Sequence, residues 1–244
     1  MITSILSIKQ LHKNPQCSFG NSRVIVKDTV DKDFADSAIK QFNYLTDTFG
    51  NHGIDKLVIL KSASEIGELK DFCPKLEKSL GDDASIAYGV YDKKDKAICL
   101  IQDNHKRKDF KYEGTIAEQG SDTLTHEFGH LIDKKYSKSK SFKNAYRTDL
   151  EEFARNLEEN PDRKIANSDM TYKEAKDYFK HYIEGAYFSD GIDNSDVTKT
   201  GRREQWAEAF SIAFDQSENK ANAIHKALFK NTYNKFCEIM GLAQ

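Results

Sequence analysis

Two kinds of apolar spacing divide this 244-residue chain. Arg23-Val24-Ile25-Val26-Lys27, Lys56-Leu57-Val58-Ile59-Leu60-Lys61 and Ala97-Ile98-Cys99-Leu100-Ile101 are short unbroken runs, and their length and branched residues predict strands. Ala84 to Tyr91 is another strand-like run, joined to Ala97–Ile101 through the polar Asp92-Lys93-Lys94-Asp95-Lys96, which signals a hairpin. Between the first two runs, Ala38, Ile39, Phe42, Leu45 and Phe49 recur at helical intervals from Ala35 onward, and Gly50 ends the pattern. Ser62-Ala63-Ser64-Glu65 is a capping box opening a short helix toward Phe72.

After residue 118 the spacing becomes helical. Leu124, Phe128, Leu131 and Ile132 predict a half-buried helix, capped by Ser121 or Asp122 and running to about Tyr136. Lys134, Lys135, Lys138, Lys140 and Lys143 mark an exposed exit from it. Asp149 to Glu159 is a charged helix with Leu150, Phe153 and Leu157 facing inward. Thr171-Tyr172-Lys173-Glu174 is a second capping box, opening a helix that Gly185 closes. Tyr187 to Thr200 has loop composition, and the rest is helix, interrupted near Gln216-Ser217 and stopped at Gly241. The expectation is an α+β chain forming a single domain over 1–244, with an α/β lobe over 1–118 and a helical lobe over 119–244.

Composition narrows the partners. Hydrophobic residues make up 38% and charged residues 31%, and the formal net charge of -2 gives no general attraction to nucleic acid or anionic membrane. His105-Lys106-Arg107-Lys108 is a basic run without aromatic platforms, which reads as a solvated loop. No stretch has the length of a membrane span, and Met1 to Lys9 lacks the form of a secretory signal, so a cytoplasmic location or export without a cleavable signal is expected. Cys17, Cys73, Cys99 and Cys237 stand far apart, which predicts reduced, packed thiols and no thiolate zinc site. Three prolines and no linker rich in Pro, Gly or Ser argue against long flexible joints; the chain is also expected to be a monomer.

The chemistry concentrates in His126-Glu127-Phe128-Gly129-His130. On a helix the two histidines lie roughly 40° apart around the axis and about 6 Å apart along it, so both imidazoles reach one ion. Zinc needs a third protein ligand and, in a catalytic site, keeps one position for water. Glu127 stands off the ligand face, where a carboxylate can take a proton from that water. The competing reading is an amphipathic helix with two solvated histidines. Gly129 argues against it, because glycine inside a helix costs about 1 kcal/mol relative to alanine and implies a close approach.

Asp133 and Tyr136 stand where a longer zincin repeat would need Gly and His, so that pattern is excluded. Two sources of a third ligand remain. Glu151 and Glu152 lie about twenty residues beyond His130, and Glu204 lies farther on in Arg203-Glu204-Gln205-Trp206-Ala207-Glu208-Ala209-Phe210. There Trp206, Ala207, Phe210, Ala213 and Phe214 form an apolar stripe, flanked by Glu204 and Glu208 at i, i+4. A cation between helices accounts for two like charges on one flank, although an ordinary acidic border does too.

Together, His126-Glu127-Phe128-Gly129-His130 and Glu204-x-Trp206-Ala207-Glu208-Ala209-Phe210 resemble the anthrax lethal factor catalytic domain and the Pro-Pro endopeptidases, a gluzincin-like family. The resemblance includes the hairpin around Gly89-Val90-Tyr91-Asp92 and extends loosely over residues 20 to 240. It implies a zincin-like fold with an edge strand above the active-site helix, and hydrolysis of a protein or peptide substrate. It implies Zn2+ held by His126, His130 and Glu204, Glu127 as base, and Glu208 as a carboxylate supporting a ligand imidazole. The family also has a tyrosine about seven residues before the ligand glutamate, a position occupied here by Val197. Tyr187 is carried in that oxyanion-stabilising role, with Tyr182 behind it. Substrate is expected along Ala97 to Gln102 as an added strand. The alternative is a non-catalytic, zinc-stabilised interaction module, which has no use for a base beside its ligands.

Overall fold

The computed structural model describes residues 5–7, 23–50, 52–80, 87–106, 114–133, 136–166, 168–180, 183, 199–215 and 220–242. The run-spaced segments become a mixed sheet of β1 (Ile5–Ser7), β2 (Arg23–Val26), β3 (Lys56–Leu60), β4 (Gly89–Asp92) and β5 (Ala97–Ile101), in the order β1-β2-β3-β5-β4. β2, β3 and β5 pair in parallel, while β1 on β2 and β4 on β5 are antiparallel. α1 (Lys32–Phe49) crosses from β2 to β3, capped by the Asp31 carboxylate and ending at Gly50. The parallel strands read as continuous apolar runs because both of their faces are covered. Every residue of β5 is buried. One face carries Ile25, Val58, Leu60, Ala97, Cys99 and Ile101, packed with Ile66 and Leu69 of a 3-10 turn and with Leu76 of α2 (Leu76–Leu80). Ser62 and Glu65 form the expected capping box, but on that 3-10 turn over Ala63–Leu69.

This topology corrects one expectation. Ala97–Ile101 lies between β3 and β4, so its backbone is already paired on both sides, and the edge strand on that side is β4. The expected strand from Ala84 is observed from Gly89, and residues 84–86 of it lie outside the described residues.

The chain divides into two compact units, residues 1–131 with 215–218 and residues 132–214 with 219–244, the cut falling in the last turn of α3 (Ile116–Ile132). α3 starts earlier than expected. Ser121 and Asp122 lie inside it, and its cap is Thr115, whose hydroxyl accepts from Glu118 N–H while Glu118 accepts from Thr115 N–H. That Thr-x-x-Glu box is itself a sequence signal. α3 also ends at Ile132, and Tyr136 belongs to a separate 3-10 turn, Tyr136–Lys138.

In the second unit, α4 spans Lys140–Glu159 from an Ser139 cap, so its first turns occupy part of the predicted lysine-marked exit. Phe142, Tyr146, Leu150 and Phe153 are buried at helical spacing, which the exposed lysines between them obscure in the sequence. α5 (Tyr172–Tyr178) opens on the predicted Thr171–Glu174 capping box, and its expected stop at Gly185 lies outside the described residues. α6 (Lys199–Phe214), α7 (Lys220–Leu228) and α8 (Lys230–Met240) follow, the last closed by Gly241; the expected break at Gln216-Ser217 lies outside the described residues. Trp206 anchors this core, its ring 4.8 Å from Phe236, 5.2 Å from Tyr136 and 5.4 Å from Phe142. No helix among the described residues is long and apolar enough to cross a membrane.

Candidate metal centre

His126 and His130 leave α3 one turn apart, with ring centroids 4.9 Å apart and ring planes at 85°. Near-perpendicular rings let both nitrogens face one point without the imidazoles stacking. α3 is held close to α1 by the absence of a side chain at Gly120, where a Cβ would stand 2.6 Å from the Phe34 carbonyl oxygen. Thr125, fully buried one residue before His126, donates to the Ser121 carbonyl and accepts from Gln41 Nε2 of α1 at 2.9 Å. These contacts fix the rotation of α3 and with it the direction of the histidines.

Glu127 is only 7% exposed. It lies over the β4 edge, where a Cβ on Gly89 would stand 2.9 Å from Glu127 Cγ, 3.2 Å from Oε1 and 2.9 Å from Thr123 Cγ2. Any side chain at position 89 would therefore displace the carboxylate or the threonine. Gly89 pairs with Leu100, which places α3 over the sheet face opposite Cys99. The Cys99 thiol is pushed well above its ordinary value by burial, with smaller contributions from Cys73 and from the charge of Glu127.

Behind Thr123 lies a residue the sequence reading misassigned. His105 is buried, not solvated; Arg107 and Lys108 of its basic run lie outside the described residues. His105 Nδ1 stands 3.0 Å from the Ile101 carbonyl, and since a carbonyl only accepts, Nδ1 carries the proton. Nε2 then accepts from the Thr123 hydroxyl at 2.7 Å. Tyr88 stacks on the ring at 4.7 Å and Phe34 meets it edge-on at 5.2 Å. Burial lowers the His105 pKa to about 4, against smaller opposing contributions from backbone contacts, so the ring is neutral near pH 7.

α6 presents Glu204 half-buried, and from Gln205 to Ser211 every residue is buried. Trp206, Ala207 and Phe210 are in the core as predicted, while Ala213 and Phe214 are half-buried. Tyr146 of α4 lies in the field of Glu204. Its hydroxyl is raised above the usual range chiefly by burial, against a hydrogen bond from Gln205, with the Glu204 charge adding a smaller upward push. Glu208, expected to support a ligand imidazole, stands with Oε1 3.8 Å from Nδ1 of His225, a buried histidine of α7 that periodicity did not single out.

The ligand-capable atoms of His126, His130 and Glu204 all lie within 4.8 Å of one another, each residue half-buried. Two imidazoles and one carboxylate form the donor set of a catalytic zinc site with one open position. The donor chemistry and the spacing therefore both fit the ion. Glu151 and Glu152 are exposed on α4 and do not belong to this group. Tyr187, Tyr182 and Val197 lie outside the described residues. Compared with family models, curated proteins and solved structures, the chain matches none.

Proposed function

We propose that this chain is a zinc-dependent endopeptidase of zincin-like architecture, with His126, His130 and Glu204 holding the ion and Glu127 as general base. The observation that carries this is the gathering of the three ligand-capable side chains within 4.8 Å, with the buried Glu127 next to His126 in the chain. Zinc bound there supplies acidification of a water and polarisation of a carbonyl. Glu127 takes the proton from the water and returns it to the departing amine, a role for which partial desolvation suits a carboxylate. On the resemblance alone, Tyr187 is assigned the oxyanion contact and Glu208 the support of the ligand set.

β4 gives the substrate its track in this reading. No strand pairs with its outer side among the described residues, and the missing side chain at Gly89 brings Glu127 against its backbone. An extended peptide added to that edge passes beside the base, with main-chain hydrogen bonds holding it. Specificity then arises from pockets receiving alternate side chains.

Incubation of the purified protein with a peptide library, with and without a chelator, tests the reading. Chelator-sensitive cleavage is the expected result. Glu127→Gln retains zinc stoichiometry and loses roughly 100- to 10,000-fold in turnover. Cleavage unaffected by chelator, or undiminished in Glu127→Gln, overturns it. An intact chain that unfolds on zinc removal and cleaves nothing is instead the interaction module.

A further inference from the structure

Three polar side chains of the second unit are more deeply buried than their chemistry ordinarily allows: Gln205 at 1% exposure, His225 at 1% and Glu208 at 8%. His225 Nε2 stands 3.0 Å from Gln205 Oε1, so the ring donates to the amide next to Glu204 in the chain. On the other side of the ring, Nδ1 stands 3.8 Å from Glu208 Oε1, one turn beyond Glu204. The imidazole thus spans two positions of α6 that follow the candidate ligand, one and four residues on. Phe179, at 5.1 Å and nearly perpendicular, and Phe229, at 4.5 Å, pack against the ring.

Buried polar groups are costly unless matched, and an apolar side chain would fill this space with no such demand. What the polar match adds is direction. Hydrophobic contacts along a helix buried on nearly all sides leave its rotation weakly specified, whereas a ring nitrogen aimed at Gln205 admits one setting. A carboxylate one residue from that hydrogen bond inherits the setting.

We infer that His225 is a positioning residue for Glu204, fixing the rotation of α6 through Gln205 and thereby the aim of the candidate ligand. The inference rests on the zinc reading of His126, His130 and Glu204. Partners that orient metal ligands are worth about 10- to 100-fold in metal affinity.

Zinc affinity is measured by competition with a chromophoric chelator, and ligand geometry by the visible absorption of the cobalt(II)-loaded protein. His225→Phe preserves the ring and its aromatic contacts but removes both nitrogens. It is expected to weaken zinc about 10- to 100-fold and to alter the cobalt spectrum. His225→Gln, which keeps an N–H donor, recovers most of the affinity. Phe229→Leu, which loosens the same packing without touching the polar row, stays within about twofold of the unaltered chain. Gln205→Met approaches the pair from the other side and is expected to match His225→Phe, so the proposal stays testable if the phenylalanine variant does not fold. Wild-type affinity in folded His225→Phe or Gln205→Met, or an equal loss in Phe229→Leu, overturns the positioning role while zinc binding itself stands. An unaltered chain that binds no zinc overturns the metal site and this inference with it.

Discussion

Around α3, buried polar side chains meet partners from neighbouring elements: Thr123 with His105, Thr125 with Gln41, Ser121 with Asp215 at 2.5 Å. Along α6, Gln205 meets His225 and Tyr146 and Glu208 faces His225, while Trp206 Nε1 has no hydrogen-bond partner among the described residues. The two helices differ in how the histidines and the carboxylate gain their directions. α3 is set by a glycine that admits the Phe34 backbone and by threonines that meet Gln41 and His105 of other elements. α6 is wrapped in aromatic side chains, and its Gln205 meets both the His225 imidazole and the Tyr146 hydroxyl. The comparison teaches that α3 takes its setting from contacts spread over several elements, whereas α6 relies on a few buried polar side chains set among aromatic rings.

The sharpest break between the two regions is Glu127→Gln. Under the proposed mechanism the variant loses roughly 100- to 10,000-fold in turnover, about 3–5 kcal/mol, with zinc content unchanged, because the proposed base is not one of the proposed ligands. Steady-state cleavage beside metal analysis measures both.

A pH titration of stability separates them next. His105 has a folded pKa of about 4, below the 6.5 of its free side chain. Between these values the unfolded chain takes up a proton that the native chain refuses. The stability is fully present above pH 6.5 and is lost as pH falls toward 4, by about 3 kcal/mol. Urea unfolding at a series of pH values follows this, and His105→Gln removes that share of the slope. An unchanged slope in the variant would show that His105 titrates normally in the fold.

In the second unit, Asp149 sharpens the contrast. Its carboxylate accepts from the N–H groups of Asn231 and Thr232 and from both of their side chains, at 2.6–3.1 Å. It therefore caps α8 from α4, since Phe229 at the cap position offers no acceptor. Burial raises its pKa against those hydrogen bonds. Asp149→Ala is expected to cost about 2 kcal/mol in chemical unfolding, with turnover per folded molecule unchanged.

The smallest effect on stability belongs to Gly89→Ala, about 1–2 kcal/mol from crowding Glu127 and Thr123. Truncating Glu127 to alanine in the same chain relieves part of that cost. A double-mutant cycle on unfolding free energies reads the coupling, and additive effects would mean that the two residues do not touch.

Much of the fold was readable because local rules agree with the global arrangement. The β2, β3 and β5 runs, the stop at Gly50 and the capping boxes at Ser62 and Thr171 were found where short-range chemistry demands them. The start of α3 was misplaced because Ser121 and Asp122 resemble a cap, although Thr115 and Glu118 carry the stronger reciprocal signal. His105 was taken for part of a solvated basic run because hydrophobic periodicity does not register a histidine whose two nitrogens are both matched in the interior.

The sequence alone determined that two imidazoles stand one turn apart on a helix with a glutamate between them, since helical geometry depends only on residue spacing. Which strand lies at the edge among the described residues and which face of α3 meets Gly89 were decided by the tertiary structure. Those outcomes follow from pairing and burial among segments far apart in the chain, where spacing along the sequence carries no distance information.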